Sequence, residues 1–326
     1  MTPEIHGIMP VMITPFTEDN AIDYAGLERL IEWYLSHGAD ALFAVCQSSE
    51  MGFLSLQERE ALGRFVVKQV AGRVPVVVSG HISDDPHGQM EDLKAAVRTG
   101  ADAVVLVTNH LDPQQQGREA FLGNLKWLME RLPQEIPLGL YECPVPYRRL
   151  IDDLELKWCR DSGRFVLLKD VSCDLATIRR RIEWLEGSPL TIINANATIA
   201  WEAMQAGSRG FDGVFTNIHP DLYQWLYTSG RHYPDIASEL ANFLALSALA
   251  EAYGYPVLAK LYHRRLGTFR SIHSRVISYD VGERYWAVEA IVEQLLQGTE
   301  RMRLKVSQLP VPQDTGNRRI SAEIPE

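Results

Sequence analysis

Four cysteines in 326 residues, none of them in a C-x-x-C pair, are too few and too scattered for a disulfide framework. Cys46, Cys143, Cys159 and Cys173 therefore read as reduced thiols, and a cytoplasmic protein is expected. No apolar run approaches the ~20 residues that cross a bilayer. The opening MTPEIHGIMP lacks a basic region followed by an apolar stretch, so no signal peptide is expected. Glycine-rich phosphate loops are missing as well. Without a G-x-G-x-x-G or Walker motif, a tandem nucleotide-binding architecture loses its signature. An excess of positive charge is also lacking: 32 Lys and Arg face 42 Asp and Glu, a net charge of −10. Such a chain repels nucleic acid and anionic membrane on average, while local basic pockets can still take a small anionic substrate.

What is present is alternation. Short apolar runs fall at 7–13, 40–46, 74–80, 102–108, 136–142, 164–170, 189–195 and 211–216. Most are apolar at nearly every position, as strands covered on both faces are. Between them, amphipathic patterns predict helices over 24–37, 55–71, 85–99, 116–131, 150–160, 174–186, 197–206 and 219–229. Ser55 and Glu58 are spaced as a capping box, and Gly38, Gly72, Gly100 and Gly207 stand where helix C-caps are expected. Strand–helix alternation implies parallel βαβ units. Eight such units predict an α/β fold, a (β/α)₈ TIM barrel over 1–230. Residues 231–307 read as a C-terminal helical subdomain with a break at Gly254, Tyr255 and Pro256. The polar segment 308–326 reads as an extended or mobile tail.

In such a barrel, chemistry sits at the C-terminal ends of the strands. Lys169 closes RFVLLK, where desolvation disfavours its charged form. A neutral amine is the nucleophile that attacks a ketone, although a lysine there can also simply pair with Asp170. Tyr141 closes IPLGLY one strand earlier. Its phenol can point into the mouth beside Lys169 and move protons, or be a core aromatic. The turn CQSSE (46–50) offers hydroxyls and backbone N–H groups to a carboxylate. His81, His110 and His219 follow strands three, four and eight. No H-x-H or H-E-x-x-H spacing marks them as metal ligands, and loop histidines are the plainer reading. The tryptophans at 127, 158, 184, 201 and 225 fall in helices as packing residues.

Taken together, these segments resemble the dihydrodipicolinate synthase / N-acetylneuraminate lyase family. GIMPVMITPF (7–16) is similar to its first strand, and CQSSE to its G-[ST]-T-G-E turn. FLSLQER (53–59) resembles the following helix start. PLGLY (137–141), with Pro144 beyond it, resembles the strand that ends in the catalytic tyrosine, and VLLKDVSCD (166–174) the Schiff-base lysine segment. Gly207, Gly210 and NIHP (217–220) resemble strand eight and its loop, and Lys260 with Gly267 a C-terminal helix. The resemblance spans about residues 5–300.

It implies a class I aldolase-like enzyme of the lyase type, or a dehydratase. A 2-oxo acid such as pyruvate or a keto-deoxy sugar acid condenses with Lys169, Tyr141 moves protons, and Ser48 and Ser49, with Gln47 beside them, bind the carboxylate. No metal or organic cofactor is implied, and a homo-oligomer, tetramer or dimer, is expected. The departures are specific. Cys46 and Ser49 stand where the family turn has glycines, and Gln47 where the synthases have a hydroxyl. His110 and Leu111 replace a tyrosine pair. Pro146 replaces an arginine that grips a second carboxylate, for which Arg148 or Arg149 could substitute. ANAT (195–198) replaces a carboxylate-bearing stretch, leaving Asn194 and Asn196, with Asn217 after strand eight, to bind hydroxyls. Three rival readings stay open: a non-catalytic 2-oxo acid or sugar-acid binding relative, dihydrodipicolinate synthase proper, and a metal-dependent aldolase using His81, His110 and Glu142.

Overall fold

The computed structural model describes residues 4–310. Its eight strands are β1 (Gly7–Ile8), β2 (Leu42–Ala44), β3 (Val76–Val78), β4 (Ala103–Val107), β5 (Leu138–Tyr141), β6 (Phe165–Asp170), β7 (Thr191–Asn194) and β8 (Gly210–Phe211). All pair in parallel, in the order β1-β8-β7-β6-β5-β4-β3-β2. A bridge between Val11 and Phe43 joins the two ends of that series, and the sheet closes as a (β/α)₈ barrel. Every residue of β4, β5 and β6 is buried, which is why these strands carry no polar alternation. Each fully buried Val, Leu or Phe contributes roughly 1.5–3 kcal/mol.

Closure places one strict demand on sequence. A Cβ on Gly210 (φ 153°) would lie 1.9 Å from the Gly7 carbonyl oxygen, so the contact of β8 with β1 admits only glycine. The expected run at 7–13 pairs regularly only over Gly7–Ile8. Pro10 within that run has no N–H to give to a ladder, and pairing resumes at Val11. The run at 211–216 also departs from expectation. After Phe211 the chain turns into a 3₁₀ turn, Val214–Asn217. The Thr216 hydroxyl fastens that turn, donating to Gly213 O at 2.6 Å and accepting from Val11 N at 3.3 Å.

The outer helices are α1 (Tyr24–Ser36), α2 (Leu56–Val70), α3 (Pro86–Arg98), α4 (Arg118–Met129), α5 (Asp153–Asp161), α6 (Leu175–Trp184), α7 (Ala200–Ala206) and α8 (Pro220–Ser229). The Ser55–Glu58 capping box closes reciprocally, with N–H donations of 3.1 and 2.9 Å. Beyond them lie α9 (Pro234–Ala248), α10 (Val257–Arg265), α11 (Val281–Arg284) and α12 (Val288–Ser307). The break at 254–256 separates α9 from α10. The stretch 266–280, expected as helix, is instead a loop that reaches back to the barrel, where Glu50 draws its backbone N–H groups out of helical pairing. Of the tail at 308–326, residues 311–326 lie outside the described residues.

Candidate active site

β5 and β6 run side by side with Tyr141 opposite Lys169. Both side chains therefore face one way at the C-terminal end of the barrel. Lys169 is 4% exposed. Its Nζ donates to Asp212 O, beyond β8, at 2.5 Å and stands 3.7 Å from Asp212 Oδ2. The same Nζ lies 5.0 Å from the centre of the Tyr141 ring and 5.9 Å from that of Phe43. An amine held between two aromatic faces and a carbonyl is largely stripped of water. Burial also pushes the Tyr141 phenol well above the ordinary tyrosine range, so it stays protonated at neutral pH. Asp212 is fully buried, and burial pushes its carboxyl up to about 7 despite the nearby lysine.

The turn after β2 forms the facing wall. Gln47–Ser49 is one 3₁₀ turn, bracketed by left-handed Val45 (φ 51°) and Glu50 (φ 62°). That conformation is rare for a β-branched residue and stores strain. Ser49 is a fastener: its hydroxyl donates to Met12 O at 2.6 Å and accepts from Cys46 N at 3.0 Å, while Thr14 Oγ1 donates to Ser49 O at 2.8 Å. Ser48 makes no tie to Met12 or Cys46 among the described residues; its hydroxyl faces the buried Tyr255 phenol as a hydrogen-bond partner. Gln47 Oε1 reaches the thiol of Cys143 at 4.0 Å, bringing the turn up to the end of β5.

Glu50 ends this turn and is wholly buried. Its carboxylate accepts from Lys260 Nζ at 2.6 Å, Ser274 Oγ at 2.9 Å, Arg275 N at 2.6 Å and Val276 N at 3.0 Å. Two segments from the last third of the chain are thereby pinned to the mouth. Burial holds the Lys260 ammonium down to about 8, with Glu50 opposing the shift.

The three asparagines close or follow β7 and β8, with their amides engaged within the protein. Asn194 closes on Asn196, donating to its carbonyl at 2.8 Å and accepting its N–H at 3.0 Å. Asn196 accepts from Thr198 N at 2.8 Å. Asn217 donates to Val11 O, Val214 O and Tyr255 Oη, and accepts from the Tyr34 hydroxyl. Arg149 is committed to Asp112 at 3.1 Å and Glu155 at 2.7 Å. Arg148, more exposed, donates to the carbonyls of Val171 and Ser172 over the loop after β6.

Glu142 does not join His81 and His110. Arg181 Nη2 holds it at 2.7 Å, and Ile151 N and Val171 N donate to it at 2.8 and 3.0 Å. Among the described residues no three His, Cys, Asp or Glu side chains are grouped to hold a metal ion. His110 pairs with Asp84 at 2.7 Å, and burial pushes His81 down to about 3, keeping it neutral. Sequence reasoning overlooked Asp212 and Tyr255. The first lay near the start of a run read as strand over 211–216, so the rule that selects strand ends passed over it; the strand in fact ends at Phe211. The second lay in a helix break, and nothing local shows that it folds back beside Ser48.

Comparisons with known proteins bear on the family and the fold. Residues 4–237 match the model of the Dihydrodipicolinate synthetase family. The 4-hydroxy-tetrahydrodipicolinate synthase of Nitrosococcus oceani is 31% identical over 268 residues, 80% of this chain and 89% of that protein. The enzyme of the same name from Acidithiobacillus ferrooxidans is 31% identical over 219 residues, 67% and 72% of the two chains. Among solved structures, a dihydrodipicolinate synthase from Acinetobacter baumannii complexed with pyruvate superposes with a TM-score of 0.78 at 23% identity, over 89% of this chain and 99% of that one. CdNal from Clostridium difficile, in complex with mannosamine, gives 0.79 at 14% identity, over 90% and 99%. At such identities the structures speak for the fold.

Proposed function

Because the chain belongs to the dihydrodipicolinate synthetase family, we propose that it captures a 2-oxo acid of the pyruvate type as a Schiff base on Lys169. The single observation that carries this reading is the desolvated Lys169 amine set beside the Tyr141 ring at the open end of the barrel. Amine attack on the ketone gives a carbinolamine, and loss of water gives a protonated imine. That imine is an electron sink: it accepts the pair released when a C–C bond breaks or a proton leaves C3. Tyr141 relays the proton at C–C cleavage or at C3. The substrate carboxylate binds the turn at Gln47, Ser48 and Ser49. The hydroxyl that turns towards it is that of Ser48, which shares a hydrogen bond with Tyr255, since Ser49 is spent on Met12. Asn194 and Asn196 hold the loop after β7, and Asn217 ties the turn after β8 to Val11 and Tyr255.

The acceptor or leaving group differs, in our reading, from the one used for dihydrodipicolinate synthesis. Pro146 fills the arginine position, and Arg149 is tied down by Asp112 and Glu155. A keto-deoxy sugar acid or a short aldehyde partner needs no second carboxylate clamp. The outer surface carries exposed Leu246, Leu249 and Trp286, which supports association into a dimer or tetramer. Among the described residues no helix is long and apolar enough to cross a membrane.

Incubation with pyruvate and sodium borohydride tests the reading. One reduced pyruvyl group is expected on Lys169, and none after Lys169→Ala. An unlabelled wild-type protein would overturn it.

A further inference from the structure

A buried carboxylate without hydrogen bonds costs stability, so its presence asks for a reason. Asp212 is such a group: it is 0% exposed, and among the described residues neither carboxylate oxygen has a hydrogen-bond partner. At 3.7 Å, Oδ2 stands just outside bonding range of Lys169 Nζ, while the Asp212 carbonyl holds that same nitrogen at 2.5 Å. The backbone contact thus fixes the amine, and the side chain is left aimed at it with nothing else to do. Two other acids near the strand ends are occupied: Asp170 is bound by Arg181 and Ser172, and Glu142 by Arg181. Glu251 also feels the Lys169 charge, but Asp212 is the acid whose oxygen stands 3.7 Å from the nitrogen.

We infer that Asp212 is the acid–base partner of the Lys169 amine, the group that removes its proton before attack and returns it when water leaves. The inference rests on the Schiff-base reading and deepens it. The proton count closes. The carboxylate takes one proton from the ammonium, leaving a neutral amine and a carboxylic acid. The nitrogen lone pair attacks the ketone carbon, the carbonyl pair moves to oxygen, and a proton passes from nitrogen to that oxygen, giving a neutral carbinolamine. The Asp212 acid then protonates the hydroxyl, which departs as water while the nitrogen pair forms the C=N bond. The cycle ends with a protonated imine beside the regenerated carboxylate, a pair of opposite charges in a dry site. Tyr141 is thereby released for the later proton at C3.

The charged and titratable groups acting on Asp212 are Lys169 and Asp170 of β6 and Tyr141 of β5. Burial, opposed by Lys169 and reinforced by Asp170, brings its carboxyl to about 7, where one group both takes and gives a proton at neutral pH.

The test is the rate of imine trapping with pyruvate and borohydride, followed from pH 5 to 9 in wild type and Asp212→Asn. Wild type should show a limb near 7. The variant should label Lys169 roughly 10²-fold more slowly or worse and lose that limb. Labelling of D212N at the wild-type rate with the wild-type profile would overturn the inference and leave the Schiff base standing. A wild type that does not label at all would remove the Schiff base itself, and the inference with it. If D212N does not fold, the wild-type profile decides: a flat rate between pH 6 and 8 refutes the inference, and a limb there supports it.

Discussion

Tyr141 and Lys169 are register partners on neighbouring parallel strands. Their separation is therefore set by the sheet and not by loop conformation, and substitutions at the two positions should act on different steps. Tyr141→Phe should still form the pyruvate adduct, with kcat reduced by roughly 10²–10⁴-fold. Lys169→Arg should form none, because guanidinium stays protonated. Parallel trapping and turnover assays check both; a fully active Y141F would refute the proton relay.

Adjacent serines should separate binding from folding. Ser49→Ala removes the tie between Met12 O and Cys46 N, leaving two buried backbone groups short of a partner, at a cost of about 1–3 kcal/mol. Ser48→Ala should leave the unfolding midpoint within about 0.5 kcal/mol of wild type and raise KM for the 2-oxo acid. Urea unfolding and steady-state kinetics on both variants supply the comparison. A reversed pattern would move carboxylate recognition away from Ser48.

Glu50 and Lys260 make a wholly buried ion pair. Lys260→Met leaves the carboxylate without its counter-charge, and a loss of about 3–5 kcal/mol is expected. The backbone amides of Arg275 and Val276, which donate to Glu50, should then exchange hydrogen faster than the amides of β6. Equal protection in variant and wild type would show that the loop stands without the pair.

Acid should destabilise the protein through three buried histidines. Burial pushes His81 and His219 down to about 3 and His263 to about 4. Unfolded, each takes up a proton near ~6.5. Between those values the unfolded chain binds more protons than the folded one, so stability falls as pH drops below ~6.5 and is untouched above it. At 1.36 kcal/mol per pKa unit, the loss by pH 4 is on the order of 3 kcal/mol per histidine. His219→Gln, which can still bond Thr299, should flatten the dependence of Tm on pH between 6.5 and 4. An unchanged slope would assign the acid loss to other groups.

The barrel was legible because its strands are buried on both faces and so read as plain apolar runs; β4 and β6 stand inside the expected segments. Lys169 and Tyr141 were legible because each is a polar ending on such a run. The short strands were not. β1 and β8 are limited by Pro10 and by the Thr216 tie, which also reaches across to Val11 of the first run. Asp212 hid for a similar reason: within FDGVFT nothing announces that a carboxylate two residues past Gly210 will meet a lysine 43 positions earlier. The loop at 266–280 reads as helix until Glu50, more than 200 positions away, claims its amides.

That hook by Glu50 has a temporal side. Synthesis runs from the N-terminus, so all eight strands leave the ribosome before Lys260, Ser274, Arg275 and Val276 exist to meet the carboxylate. A nascent or clipped chain ending after α8 would own Lys169, Tyr141 and Asp212, yet the Glu50 that ends the turn after β2 would lack its cation and its backbone donors. The last third of the chain thus completes a wall that the barrel alone leaves unfinished.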